Sequence, residues 1–96
     1  MLLARVTFGE ECSNWTRNEH YNYCFLRAQE DYINDIVRHR GYMYLNQIFE
    51  ILGIEWHPDY ENPCVRTDGS DHISFVQFEV FKQPNNEILV NIYSYN

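Results

Sequence analysis

A chain of 96 residues has room for one hydrophobic core rather than two. With 45% hydrophobic and 17% aromatic residues, it carries enough apolar surface to fold without disulfide or metal staples. Seven basic residues, of which only Lys82 is a lysine, stand against fourteen acidic ones for a net charge of −7; that sign argues against binding nucleic-acid phosphates or anionic membranes and favours basic partner surfaces.

Residues 1–15 read as an amino-terminal arm or a short strand, apolar from Met1 to Phe8 and interrupted at Gly9-Glu10-Glu11. Thr16 followed by Glu19 has capping-box spacing. Tyr21, Phe25, Ala28, Tyr32, Ile33, Ile36 and Val37 then recur at intervals of three and four, which predicts one helix stripe over 17–39. The basic cluster Arg38-His39-Arg40 suits the negative end of the helix dipole, and Gly41 stops the helix in a left-handed conformation. Tyr42-Met43-Tyr44 is a short extended candidate. Leu45, Ile48, Phe49 and Leu52 predict a second, short helix closed by Gly53, so that residues 16–53 form a helical hairpin.

Residues 54–71 change to turn formers and read as an acidic and aromatic loop, with a short strand around Cys64 to Arg66 and a turn at Thr67-Asp68-Gly69-Ser70 leading into the next strand. Residues 72–96 form a β-hairpin, His72 to Phe81 and Glu87 to Tyr95, joined at Gln83-Pro84-Asn85-Asn86. Ile88, Val90 and Ile92 give its last strand one apolar face. The preceding strand is apolar on both parities, Ile73 and Phe75 against Val76, Phe78 and Val80, which implies either a bulge near Val76 or burial on both faces. Phe25, Phe49, Phe75 and Phe78 are assigned to the core. The expected fold class is α+β: one domain over 1–96, with a long and then a short helix packed on a two- to three-stranded antiparallel sheet.

The segment DYINDIVRHRGYMYLNQIFEILGIEW, with Asn34, Asp35, Arg40, Gly41, Leu45, Asn46, Ile48, Phe49, Glu50, Leu52 and Gly53 in pattern, resembles an uncharacterised family of small proteins encoded by phages and mobile elements of Gram-positive bacteria. The likeness covers about a third of the chain. It departs after Gly53, where the loop through Trp56, His57 and Pro58 differs, and does not extend to the amino-terminal segment. The resemblance implies a mobile-element context and brings no catalytic residues with it.

Three cysteines, Cys12, Cys24 and Cys64, are an odd number, and MLLARVTF is too short for a secretory signal or membrane span, so a reduced, cytoplasmic setting is expected, which the resemblance implies is that of a bacterial host. His20 and Cys24 lie i, i+4, but no CxxC, HxxxH or HExxH pair accompanies them. Neither a metal nor a cofactor is expected, with Cys24 buried beside a surface His20. Cys64 with His57 or His72 lacks a Gly-rich elbow or oxyanion loop, so no enzyme is expected either. Asp31 and Asp35 read as a solvated face sharing exposed ion pairs with Arg27 and Arg38.

Asp59, Glu61, Asp68 and Asp71 read as a ladder of charge able to occupy a basic groove. Trp15, Trp56, Tyr60, Tyr93 and Tyr95 are the aromatic anchors of a contact surface, because they lie in loops or at the chain end. The expectation is a non-enzymatic acidic interaction protein, monomer or homodimer, that inhibits a host protein with a basic nucleic-acid-binding surface, of the anti-CRISPR kind. It makes no direct contact with nucleic acid or membrane. A self-associating virion-assembly protein, using the edge of the β-hairpin, is the alternative.

Overall fold

The computed structural model describes residues 2–55 and 75–95, together with the backbone of 64–66. The elements run β1 (Leu2–Phe8), α1 (Glu19–Arg40), β2 (Tyr42–Tyr44), α2 (Leu45–Leu52), β3 (Cys64–Arg66), β4 (Phe75–Lys82) and β5 (Ile88–Tyr95). Strands β1, β5 and β4 form an antiparallel sheet in that order, and β2 pairs with β3 in a separate two-stranded ribbon. The fold is α+β, a long and a short helix packed on a three-stranded antiparallel sheet. The strand at 64–66 therefore forms, but it pairs with Tyr42–Tyr44; the turn expected at 67–70 lies outside the described residues.

Helix α1 begins at Asn18, not Thr16. The Asn18 side chain accepts the Tyr21 N–H at 3.0 Å, the N-cap role that short polar side chains fill best. Thr16 is used one step earlier. Its hydroxyl accepts the Asn18 N–H, and its backbone N–H and C=O bond the amide of Asn22, which is fully buried and fully paired. Gly41 at φ 92° and Gly53 at φ 80° end the two helices as expected. At the start of α2 the Gln47 side chain accepts both the Tyr44 N–H and an Arg40 N–H.

The buried stripe of α1 is Asn22, Leu26, Ile33 and Val37. This corrects the expected stripe. Ile33 and Val37 are inside and Phe25 and Ile36 half-buried, whereas Ala28, Tyr21 (52% exposed) and Tyr32 (53%) face solvent. Leu26 lies in the core with Leu45, Ile48, Phe49 and Leu52 of α2, against Ala4, Phe8, Val76, Phe78, Ile88, Val90 and Ile92 of the sheet.

One face of the sheet is buried; the other is largely open, with Asn91 covered at its centre and Leu89 and Tyr93 half-buried. The β4–β5 register runs unbroken from Phe75↔Tyr95 to Lys82↔Ile88, so over these residues there is neither a bulge at Val76 nor burial on both faces. Val76 and Phe78 point inward, while Phe75, assigned to the core from sequence, is 44% exposed on the outside. Ile73 lies outside the described residues. The irregularity is instead in β1, between Leu2 and Ala4.

Among the described strands β4 stands at the edge of the sheet, and α1 closes part of that edge with side chains. Asn34 accepts the Val76 N–H at 2.7 Å and donates to the Val76 C=O at 2.9 Å. Glu30 accepts the Phe78 N–H, and Arg27 donates to the Phe78 C=O at 3.0 Å. The helix thus supplies at two positions the bonds a further strand would make, which protects an edge against pairing with other chains.

Candidate functional site

The loop between β1 and α1 folds against two other parts of the chain. Ser13 N–H donates to the Gly53 C=O at 3.2 Å and the Asn14 side chain to the Ile51 C=O at 3.1 Å, which ties it to the end of α2. On the other side the Trp15 indole N–H donates to the Asn86 C=O at 3.1 Å, in the β4–β5 turn. That turn is sharp. Asn85 and Asn86 both sit at positive φ, 64° and 62°, a conformation asparagine tolerates better than other non-glycine residues.

Between loop and turn lies a cleft of about 890 Å³, lined by Thr7, Gly9, Glu10, Glu11, Trp15, Arg17, Asn85, Asn86 and Glu87. Gly9 permits its closest approach, since a Cβ there would stand 2.6 Å from Glu87 Oε2. Three carboxylates and an indole thus share one concavity with a single guanidinium. Beneath it Cys12 is buried with its thiol 3.6 Å from the Thr7 C=O. Burial is the main cause that pushes the Cys12 pKa up; the Gly9 backbone opposes it, and the charges of Glu11 and Glu87 add to it.

The structure places the sequence-derived candidates in different regions. Trp15 lines the acidic cleft. Tyr93 and Tyr95 lie at the opposite end of the sheet, on its outer face, where Tyr95 stacks on Phe75 with ring centroids 5.3 Å apart and neighbours Tyr93 at 6.0 Å. Trp56, Asp59, Tyr60, Glu61, Asp68 and Asp71 fall outside the described residues, as do His57 and His72. Glu10, Glu11 and Glu87 went unnoticed as a group because Glu87 is far from the others in sequence; the Gly9-Glu10-Glu11 turn just before Trp15 was the available signal.

Cys24, expected to be buried, is exposed, with its sulfur 3.6 Å from His20 Nε2; among the described side chains Cys12 is the buried thiol. Among the described residues no group of three His, Cys, Asp or Glu side chains is placed to hold a metal ion, and no helix is long and apolar enough to cross a membrane. Within α1, Arg38 pairs with Asp35 as expected, whereas Arg27 pairs with Glu30 and not with Asp31, each at 3.2 Å; Glu19 also meets Lys82 of β4 at 3.3 Å.

A family described as a family of unknown function (DUF6353) matches residues 4–88. No curated protein and no solved structure matches the chain.

Proposed function

The chain belongs to this family of unknown function, and on that premise we propose that it is a non-enzymatic binding protein whose partner presents a basic surface. The observation that carries the reading is the cleft in which Trp15 lies beside Glu10, Glu11 and Glu87. An arginine or lysine entering it meets carboxylates able to take charge-assisted hydrogen bonds and an indole able to take the alkyl stem or the cation itself. The net charge of −7 adds long-range attraction for such a partner. On this reading the partner is the basic nucleic-acid groove of a host defence nuclease of the CRISPR type, and the chain is a mobile-element inhibitor of it.

Titration of the purified chain against such nucleases at rising ionic strength tests this. Association is expected to weaken steeply as the Debye length shrinks from about 10 Å at 0.1 M to about 3 Å at 1 M salt. The combined substitution Glu10→Gln, Glu11→Gln, Glu87→Gln should lower the on-rate and flatten the salt dependence. Binding that ignores salt, or no binding at all, overturns the proposal.

A further inference from the structure

The outer face of the three-stranded sheet is not used by the reading above. The register puts Leu2, Arg5 and Thr7 of β1, Leu89, Asn91, Tyr93 and Tyr95 of β5, and Phe75, Gln77, Glu79 and Phe81 of β4 on this face. Leu2, Phe75 and Phe81 are each 44% exposed and Tyr95 39%. Both helices pack on the other side. Leu2, Phe75 and Tyr95 stand together at one end of the face and Phe81 at the other, and exposed apolar side chains grouped in this way mark an interaction surface.

Charge decides what fits. Among these residues only Arg5 and Glu79 are charged, so the face is neutral in a chain of net charge −7. A strongly basic partner gains nothing from it. The two charges are symmetric about the middle strand: Arg5 and Glu79 are both register partners of Asn91, whose side chain links them, accepting from Arg5 Nε at 2.9 Å and donating to Glu79 Oε1 at 3.3 Å. Among the described residues the terminal guanidinium nitrogens of Arg5 and the second oxygen of Glu79 take no further partner.

We propose that a second copy of this chain docks on the outer sheet face about a two-fold axis running along β5. Such an axis, lying between stacked sheets about 10 Å apart, carries β1 of one copy over β4 of the other. Each Arg5 then faces Glu79 of the second copy, Tyr93 and Tyr95 meet their own equivalents, and Leu2 and Phe75 adjoin at the same end. Three strands about 4.8 Å apart and about 26 Å long give a face of roughly 400 Å² in projection per copy. For two copies that is roughly 800 Å², below the roughly 1,200 Å² at which stable interfaces begin, so the dimer is expected to be weak and transient.

Sedimentation velocity on the full chain tests this. Wild type should approach twice its 11.6 kDa mass at roughly 100 μM. Raising salt should strengthen the association, because it screens repulsion between two acidic chains. That is opposite in sign to binding a basic partner, so the two proposals fail separately. Arg5→Glu alone and Glu79→Arg alone should each weaken the dimer roughly tenfold or more, and mixing the two variants should restore it, since each then offers the charge the other needs. Phe75→Glu should leave a folded monomer, and Tyr95→Ser, near the chain end, gives the same reading if Phe75→Glu does not fold. A wild type that stays monomeric overturns the proposal, whether the face is covered by another segment of the same chain or taken by a different protein. So do a mixture that stays monomeric and a dimer that survives both Phe75→Glu and Tyr95→Ser.

Discussion

The two faces of the β1–β5–β4 sheet both carry large apolar side chains, the outer one mixed with polar residues, and those side chains end in opposite surroundings. Inward, Ala4, Phe8, Ile88, Val90, Ile92, Val76 and Phe78 are each exposed by 4% or less. Outward, Phe75, Phe81 and Leu2 remain almost half exposed around the Arg5–Asn91–Glu79 ladder. Apolar character alone does not bury a residue; an element must be available to cover it. The helices α1 and α2 bring Leu26, Ile33, Val37, Ile48, Phe49 and Leu52 to one face only.

The sharpest way to break this comparison is to truncate one phenylalanine on each face of β4. Phe78→Ala removes a fully buried ring and should cost about 3–5 kcal/mol in urea unfolding, through lost transfer energy and the cavity left behind. Phe75→Ala should cost the isolated chain less than about 1 kcal/mol. Near-equal losses would mean that the outer face is buried within the single chain.

The β4 edge offers a second contrast. Asn34→Ala strips both partners from Val76 and should cost about 2 kcal/mol, the desolvation penalty of backbone groups left unpaired. It should also raise the tendency to aggregate, since the edge is reopened, and turbidity on heating would show this.

Of the three cysteines, the two whose side chains are described separate inside from outside by chemistry. Cys12, with its pKa raised by burial, should resist alkylation in the native state while exposed Cys24 reacts, as peptide mapping after a short labelling pulse would show. The folded protein holds the Cys12 proton more tightly than the unfolded chain does. Its contribution to stability is therefore constant below pH 9.0 and falls above it, as the unfolded thiol ionises first. Relative to Cys12→Ala, wild-type stability should decline over that range.

The smallest effect expected on stability is at the cleft. Glu87→Gln should change it by no more than about 0.5 kcal/mol, because it removes a surface charge among like charges. A large loss there would make the cleft part of the structural framework and not a binding surface.

Much of the fold was legible because it rests on local chemistry. Gly41 and Gly53 marked the helix ends, the spacing of Leu45, Ile48, Phe49 and Leu52 marked α2, and strict alternation in Ile88, Val90 and Ile92 marked the inward face of β5. Less was legible of α1. Its hydrophobic residues occupy a wide arc, and the buried centre includes Asn22, which an apolar pattern passes over although its amide is satisfied by Thr16. The candidate site was the least legible: Trp15 was identified and Glu10 and Glu11 precede it closely in sequence, but Glu87, which completes the cleft, comes from a turn at the far end of the chain.

The sequence by itself determined which stretches became helix and strand, the size of the core and the acidic balance, because periodicity, glycine placement and charge act within a few residues of the chain or over all of it. The tertiary structure alone decided that β3 pairs with β2, that Phe75 faces outward, that α1 closes the edge of β4 and that Glu87 meets Glu10, Glu11 and Trp15. Each of these joins residues distant in sequence, and which surfaces meet depends on what the sheet leaves uncovered once the helices have taken one face.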